Sequence, residues 1–249
     1  MKELDLKDVE KYVNENIVTF HDAKLKSLAK QNLKKILRRK NPYLFKAKNI
    51  TRACDLVENI LAAHLSSSEE ELFGAFLEDV AIFIAGKTCD GRKSGIKGID
   101  LEFINNSCQY LVSIKSGPNW GNSSQKGKMR DDFENAVKVL KQSSHRINVM
   151  PVEGICYGRG KSKFAKNYLR VMGQNFWYLI SENKELYKDI IEPLAYRAKA
   201  HNDEFIKKKS NVENSLTKVL LNDFCFDDGQ LDWNKIVEFT SGNFDDPYK

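Results

Sequence analysis

Along residues 4–37 apolar side chains recur at helical spacing: Leu6, Val9, Val13 and Ile17, then Leu25, Leu28, Leu33 and Ile36. That period predicts one or two amphipathic helices. Asn41-Pro42 ends them, because the residue before a proline is pushed out of helical geometry. A second helical stretch is predicted from about Thr51 to Leu65. A third opens at Ser68, where Glu71 completes a capping box, and runs to about Ala85. From Leu72 to Gly86 its only polar residues are Glu78 and Asp79, so this helix is expected to be buried on most sides. The period then changes to two. Residues 98–105 and 109–116 are β-branched and aromatic runs around an Asn-Asn-Ser turn, and they predict a hairpin. A polar loop, "SGPNWGNSSQKGK", leads to a helix near 131–142 and a strand near 148–157; the remainder reads as helical. This order describes an α/β protein in a single domain, residues 1–249. A core at 66–160 lies between helical regions at 1–65 and 161–249, the last of these assigned to dimerisation.

The hairpin, "GIDLEFINNSCQYLVSIKSG", is where charge enters the pattern. Side chains alternate along a strand, so Ile99, Leu101 and Phe103 share one face with Val112 and Ile114 once the strands pair. If that face turns to the core, Asp100, Glu102, Ser113 and Lys115 converge on the other. Carboxylates beside a lysine are what metal-assisted phosphodiester cleavage requires, since hard divalent cations take oxygen ligands and a lysine offsets developing charge. The same residues also suit a solvated face with one cross-strand Asp–Lys pair, worth under about 1 kcal/mol.

Composition narrows the choice. Hydrophobic residues are 41% and aromatics 10% of the chain, enough for a packed core and too many for a disordered chain. Net charge is only +6, but residues 86–130 hold eight Lys/Arg against three Asp/Glu, while residues 221–249 hold two Lys against seven Asp/Glu. The basic segment brackets the hairpin and points to a polyanion partner. Five scattered cysteines without a C-x-x-C spacing give neither a disulfide framework nor a zinc site, and the four histidines, 21, 64, 145 and 201, show no ligand spacing. "MKELDLKDVEKYV" is charged and amphipathic, unlike a secretory leader, and no apolar run reaches membrane-span length. A reduced, cytoplasmic protein without a membrane or a small-molecule cofactor is expected. "GICYGRGKSK" fails as a phosphate loop, having five residues between Gly154 and Gly160 where the motif requires four.

The pattern "GIDLEF…YLVSIKSG" resembles the PD-(D/E)XK nuclease core, in which an Asp opens one strand and an acid-x-Lys closes the next. With "NPYLF", "LVENILAAHL", "FGAFLEDVAIF", "SIKSGPNWGN", "GICYG" and "FWYLIS", the chain resembles the small type II restriction endonucleases that cut interrupted GGNCC-type sites. The resemblance implies a central mixed sheet flanked by helices, with N- and C-terminal helical extensions. It also implies a Mg²⁺-dependent homodimer that cuts both strands of double-stranded DNA within a restriction-modification system. Asp100 would be the bridging metal ligand, Lys115 the catalytic lysine, the Ile114 carbonyl a further ligand, and Glu78 the acid on the preceding helix. Ser113 departs from the pattern, standing where a second acid belongs. Glu102, Glu78 and Glu134 are the candidates to replace it.

DNA contacts are assigned to Lys93, Lys97, Asn119, Trp120, Asn122, Gln125, Lys126, Lys128 and Arg130, because amides read base edges and cations neutralise phosphates. "LKKILRRK" at 33–40 and "KKK" at 207–209 read as solvated helix faces. Phe176, Trp177, Leu186, Ile190 and Leu194 exceed what one small core needs, which puts some of them at the dimer interface. Two other functions fit the same residues: a DNA-binding protein that keeps the fold without activity, and a nuclease for repair or recombination intermediates. A plain globular protein with a charged hairpin is the third.

Overall fold

The computed structural model describes residues 1–143, 148–196 and 198–246; His145 and the end of the chain fall outside them. The helices are α1 (Leu6–Ala29), α2 (Leu33–Leu37), α3 (Pro42–Ala47), α4 (Ala53–Cys89), α5 (Ser123–Ser143), α6 (Gln174–Ser181), α7 (Leu186–Asp189), α8 (Ile191–Leu194), α9 (Ala198–Phe224) and α10 (Trp233–Ser241). The strands are β1 (Arg92–Lys93), β2 (Leu101–Asn105), β3 (Cys108–Lys115), β4 (Asn148–Ile155), β5 (Lys163–Ala165) and β6 (Tyr168–Met172). They form one mixed sheet in the order β1-β2-β3-β4-β6-β5. The expected α/β architecture, a central mixed sheet flanked by helices, is the one observed. β1, β2 and β3 are antiparallel, as are β5 and β6. β3, β4 and β6 run parallel, and α5 makes the crossover from β3 to β4.

The chain divides into two compact units. One comprises Met1–Phe20 and Leu72–Tyr196, the other His21–Glu71 and Arg197–Lys249. The first holds the whole sheet; among the described residues the second is helical, apart from a single bridge between Cys225 and Leu231. These units do not follow the boundaries at 65 and 160 drawn from the sequence.

Within the sheet unit one face of the sheet carries Leu101, Phe103, Val112, Ile114, Val152 and Val171 against Val13, Leu77, Val80, Ile84, Phe176 and Trp177. The other face carries Leu111 and Tyr168 against Met129, Phe133 and Ala136 of α5. Two expectations change here. Ile99 belongs to the α5 side and not with Leu101, because the chain turns at Gly98 (φ +79°) and alternation begins only at Asp100. The face bearing Asp100, Ser113 and Lys115 is therefore roofed in part by α5. Of the residues considered for an interface, Phe176, Trp177, Leu186 and Ile190 are instead buried in this unit's own core.

Other differences are local. The predicted break between Leu65 and Ser68 does not exist, and α4 is continuous. Nothing from Ala53 to Phe73 is Gly or Pro, and Ser67 donates its hydroxyl back to the Ala63 carbonyl (3.4 Å), so the serines ride within the helix. α5 starts eight residues earlier than predicted. Its N-cap is a reciprocal pair, Gln125 N–H to Asn122 Oδ1 and Asn122 N–H to Gln125 Oε1, both 3.0 Å. β5 and β6 lie in a stretch read as helical. Their two-residue turn puts Lys166 at positive φ, where a sequence reading looks for Gly or Asn. The hairpin of β2 and β3 carries that signal: Asn106 and Ser107 both have positive φ.

Candidate active site

Asp100 stands one residue before β2, with its N–H on the Val112 carbonyl (2.9 Å). Its Oδ2 accepts the Ile114 N–H at 2.6 Å and faces the Ser113 hydroxyl at 3.4 Å. Lys115 closes β3. Its ammonium donates to the Ile114 carbonyl at 2.8 Å and lies 3.5 Å from Asp100 Oδ2. Both side chains of this pair are 24% exposed, open enough to meet a ligand. Ser113, between them, is buried. The Trp120 ring lies under the ammonium, its centroid 5.2 Å from Nζ.

Glu78 comes to the same place from α4. One turn earlier, Gly74 lets that helix approach the end of β3 so closely that a Cβ there would sit 3.3 Å from Ser116 Cβ. Burial first, then the charge of Asp100, holds the Glu78 carboxyl above the usual carboxylate range; Lys93, 3.4 Å away, pulls in the opposite direction. Burial also pushes the nearby Cys156 thiol up to about 12, with the charge of Glu78 adding to it, so this cysteine stays protonated.

Of the acids named from the sequence, Asp100 and Glu78 are brought together. Glu102 is drawn away to Arg92 (2.7 Å) and Ser94 (3.5 Å). Glu134 accepts from Asn167 (3.2 Å) in the β5–β6 turn, toward the opposite ends of the parallel strands from Lys115. Among the described residues no three His, Cys, Asp or Glu side chains form a metal-binding group. The oxygens that fit a hard cation are therefore two carboxylates and the Ile114 carbonyl. A magnesium ion, which keeps several waters, suits so small a set. The Lys115 ammonium already rests between Asp100 Oδ2 and the Ile114 carbonyl, so these oxygens attract positive charge.

The residues assigned to DNA divide into two groups. Lys97, Asn119 and Lys128 are exposed, and Lys126 and Arg130 are half-buried along the first turns of α5. The others have partners inside the protein. Lys93 pairs with Glu78, and Asn122 and Gln125 each commit an oxygen to the α5 cap. Trp120 donates its indole N–H to Glu153 at 2.8 Å. In the helical unit Lys34, Lys208 and Lys209 pair with Asp223, Glu204 and Glu213, in keeping with solvated helix faces.

Glu153 escaped the sequence reading. It is 2% exposed, next to Ser113 across β3 and β4, and ion-paired with Arg170 on β6 (Oε2–Nε 3.1 Å). A lone acid inside "NVMPVEGICY" was the available signal, since an unpaired charge is rarely placed in a buried strand. His21 and His201, far apart in sequence, stack at 4.2 Å in the helical unit.

No curated protein matches the chain. A family model, described as type II restriction endonuclease EcoO109I, matches residues 7–202 and so spans both strands of the hairpin, α4 and α5.

Proposed function

The chain belongs to the type II restriction endonuclease EcoO109I family, and from that premise we propose that it hydrolyses both strands of double-stranded DNA with Mg²⁺ at a PD-(D/E)XK centre. The observation that carries the reading is the meeting of Asp100, the Ile114 carbonyl and Lys115 at adjoining strand ends, with Glu78 brought alongside.

Asp100, Glu78 and the Ile114 carbonyl are the groups that would hold a magnesium ion, which when bound would supply charge to polarise the scissile phosphate and acidify water. Lys115 then exchanges its contact with the Ile114 carbonyl for the phosphate, where its ammonium offsets the charge that grows in the transition state. The backbone N–H of Ile114 keeps Asp100 turned toward the strand end throughout. Ser113 supplies no carboxylate, and Glu78 takes that place. The exposed cations Lys97 and Lys128, with Lys126 and Arg130 beside them, follow the DNA backbone, so binding weakens steeply with salt.

A double-strand cut by one kind of chain requires two centres related by a two-fold axis, so the working form is a homodimer. The exposed apolar side chains Tyr157, Phe164, Tyr178 and Ile191 of the sheet unit are what a second copy would cover. The resemblance to enzymes of interrupted GGNCC-type sites supports a target of that kind, and a cytoplasmic restriction-modification system as the setting.

Digestion of a plasmid of known sequence with Mg²⁺, followed by end-sequencing of the fragments, tests the reading. Discrete fragments with one common end sequence are expected. Ser113 favours a second reading, a DNA-binding protein without activity, and binding without any cutting would select it. Sedimentation of a monomer both free and on cognate DNA would remove the dimer.

A further inference from the structure

We propose that Glu153 is a positioning residue for Lys115, acting through the Trp120 indole; the inference rests on the reading of Lys115 as the catalytic lysine. A buried carboxylate is tolerated when it is paired and hydrogen-bonded, and both oxygens of Glu153 are engaged. Oε1 accepts the Trp120 indole N–H at 2.8 Å, and Oε2 faces Arg170 Nε at 3.1 Å. Arg170, the register neighbour of Glu153 on β6, also donates through Nη2 to the Pro118 carbonyl (3.4 Å). The acid and its arginine therefore grip the segment after β3 at two points, Pro118 and Trp120. The ring so fixed lies 5.2 Å from the Lys115 ammonium, within reach of a cation–π contact. Lysine is a flexible point charge, and a displacement of about 1 Å at a reacting centre costs on the order of a hundredfold in rate. Glu153 is not the missing metal ligand, because it is buried, with Oε1 taken by the Trp120 indole and Oε2 ion-paired with Arg170. What it supplies is a rigid floor beneath the lysine, on the side of the sheet where position 113 offers only a short hydroxyl.

The test uses the full-length chain with Glu153→Leu, Glu153→Gln and Trp120→Phe, and three readouts. These are the ring-current shift of the Lys115 ε-methylene by NMR, affinity for cognate DNA without metal, and single-turnover cleavage with Mg²⁺ at saturating protein. In Glu153→Leu the methylene signal should move toward its random-coil position and cleavage should fall about tenfold to a hundredfold, while affinity changes less than about threefold. Glu153→Gln keeps an oxygen for the indole and should recover most of the rate. Trp120→Phe, which loses the N–H, should resemble Glu153→Leu. An unmoved methylene signal in Glu153→Leu overturns the proposal, and so does a moved signal with an unchanged rate. If Glu153→Leu does not fold, Trp120→Phe decides, and wild-type cleavage by it overturns the proposal. A wild-type protein that cuts no DNA sinks the nuclease reading, and the methylene signal then decides by itself whether Glu153 places the lysine.

Discussion

Two acid–base pairs flank Ser113 on the same face of the sheet. Asp100 and Lys115 are 3.5 Å apart and each a quarter exposed; Glu153 and Arg170 are 3.1 Å apart, with the acid 2% exposed. The chemistry of the residues is alike and the surroundings are not. The first pair keeps two other contacts that compete for it, the Ile114 N–H and the Ile114 carbonyl, so its members can part for a phosphate or a cation. In the second the acid is hydrogen-bonded through one oxygen and ion-paired through the other, with almost no solvent of its own to replace a lost partner. Exposure, more than residue type, separates a pair that can react from one that holds structure.

The strongest way to break this contrast is to remove the open pair. Asp100→Ala and Lys115→Ala should each lower single-turnover cleavage by at least about a thousandfold while the melting temperature barely moves, since neither truncation opens a cavity. Wild-type rates in Lys115→Ala would end the catalytic assignment. The closed pair should respond in the opposite sense. Arg170→Leu strands a buried carboxylate and should cost about 3–5 kcal/mol in urea unfolding, whereas Glu153→Leu together with Arg170→Leu should recover much of it. A single-variant loss under about 1 kcal/mol would make the pair an ordinary surface contact.

Glu78 sharpens the comparison from the side of pH. Its carboxyl is raised in the folded protein, by burial and then by Asp100. The protonated form is thus favoured on folding, and stability is lost as pH rises from the ordinary carboxylate range through the raised value. Glu78→Gln should flatten that fall and stabilise the metal-free protein slightly at neutral pH, while raising the Mg²⁺ needed for cleavage. A denaturation series across pH with a chelator present, beside a Mg²⁺ titration of the rate, checks both halves. The smallest effect belongs to Ser113→Ala. Its hydroxyl is one weak contact to Asp100 at 3.4 Å, so cleavage should change less than about tenfold.

What could be read from the sequence follows from how local each signal is. The hairpin announced itself because alternation and an Asn-rich turn are contained within twenty residues, and the placement of Asp100 against Lys115 followed from register alone. Glu102 lies on the face that alternation assigns it, but alternation gives a face and not a partner: Arg92, on a two-residue strand too short to recognise, pairs with it. β6 was missed because five residues with an arginine at the centre resemble no buried strand until Glu153 is placed beside them. α4 was cut at its serines because cap residues and mid-helix serines differ only in what their hydroxyls find. The Asn122–Gln125 cap was legible, since a cap residue and a glutamine three positions on were both present; the polar loop reading concealed it.

Gly74 carries no chemistry, yet it sets a tolerance. The gap between a helix and a strand end is set there by a missing methyl group, and Glu78, one turn on, approaches Asp100 across it. Alanine at this position would gain about 1 kcal/mol in helix propensity. It would also press Ser116 aside by a few tenths of an ångström and carry Glu78 outward with the helix. The gauge of the proposed ion site is thus machined into backbone clearance, where a substitution that stiffens the helix would spoil the fit.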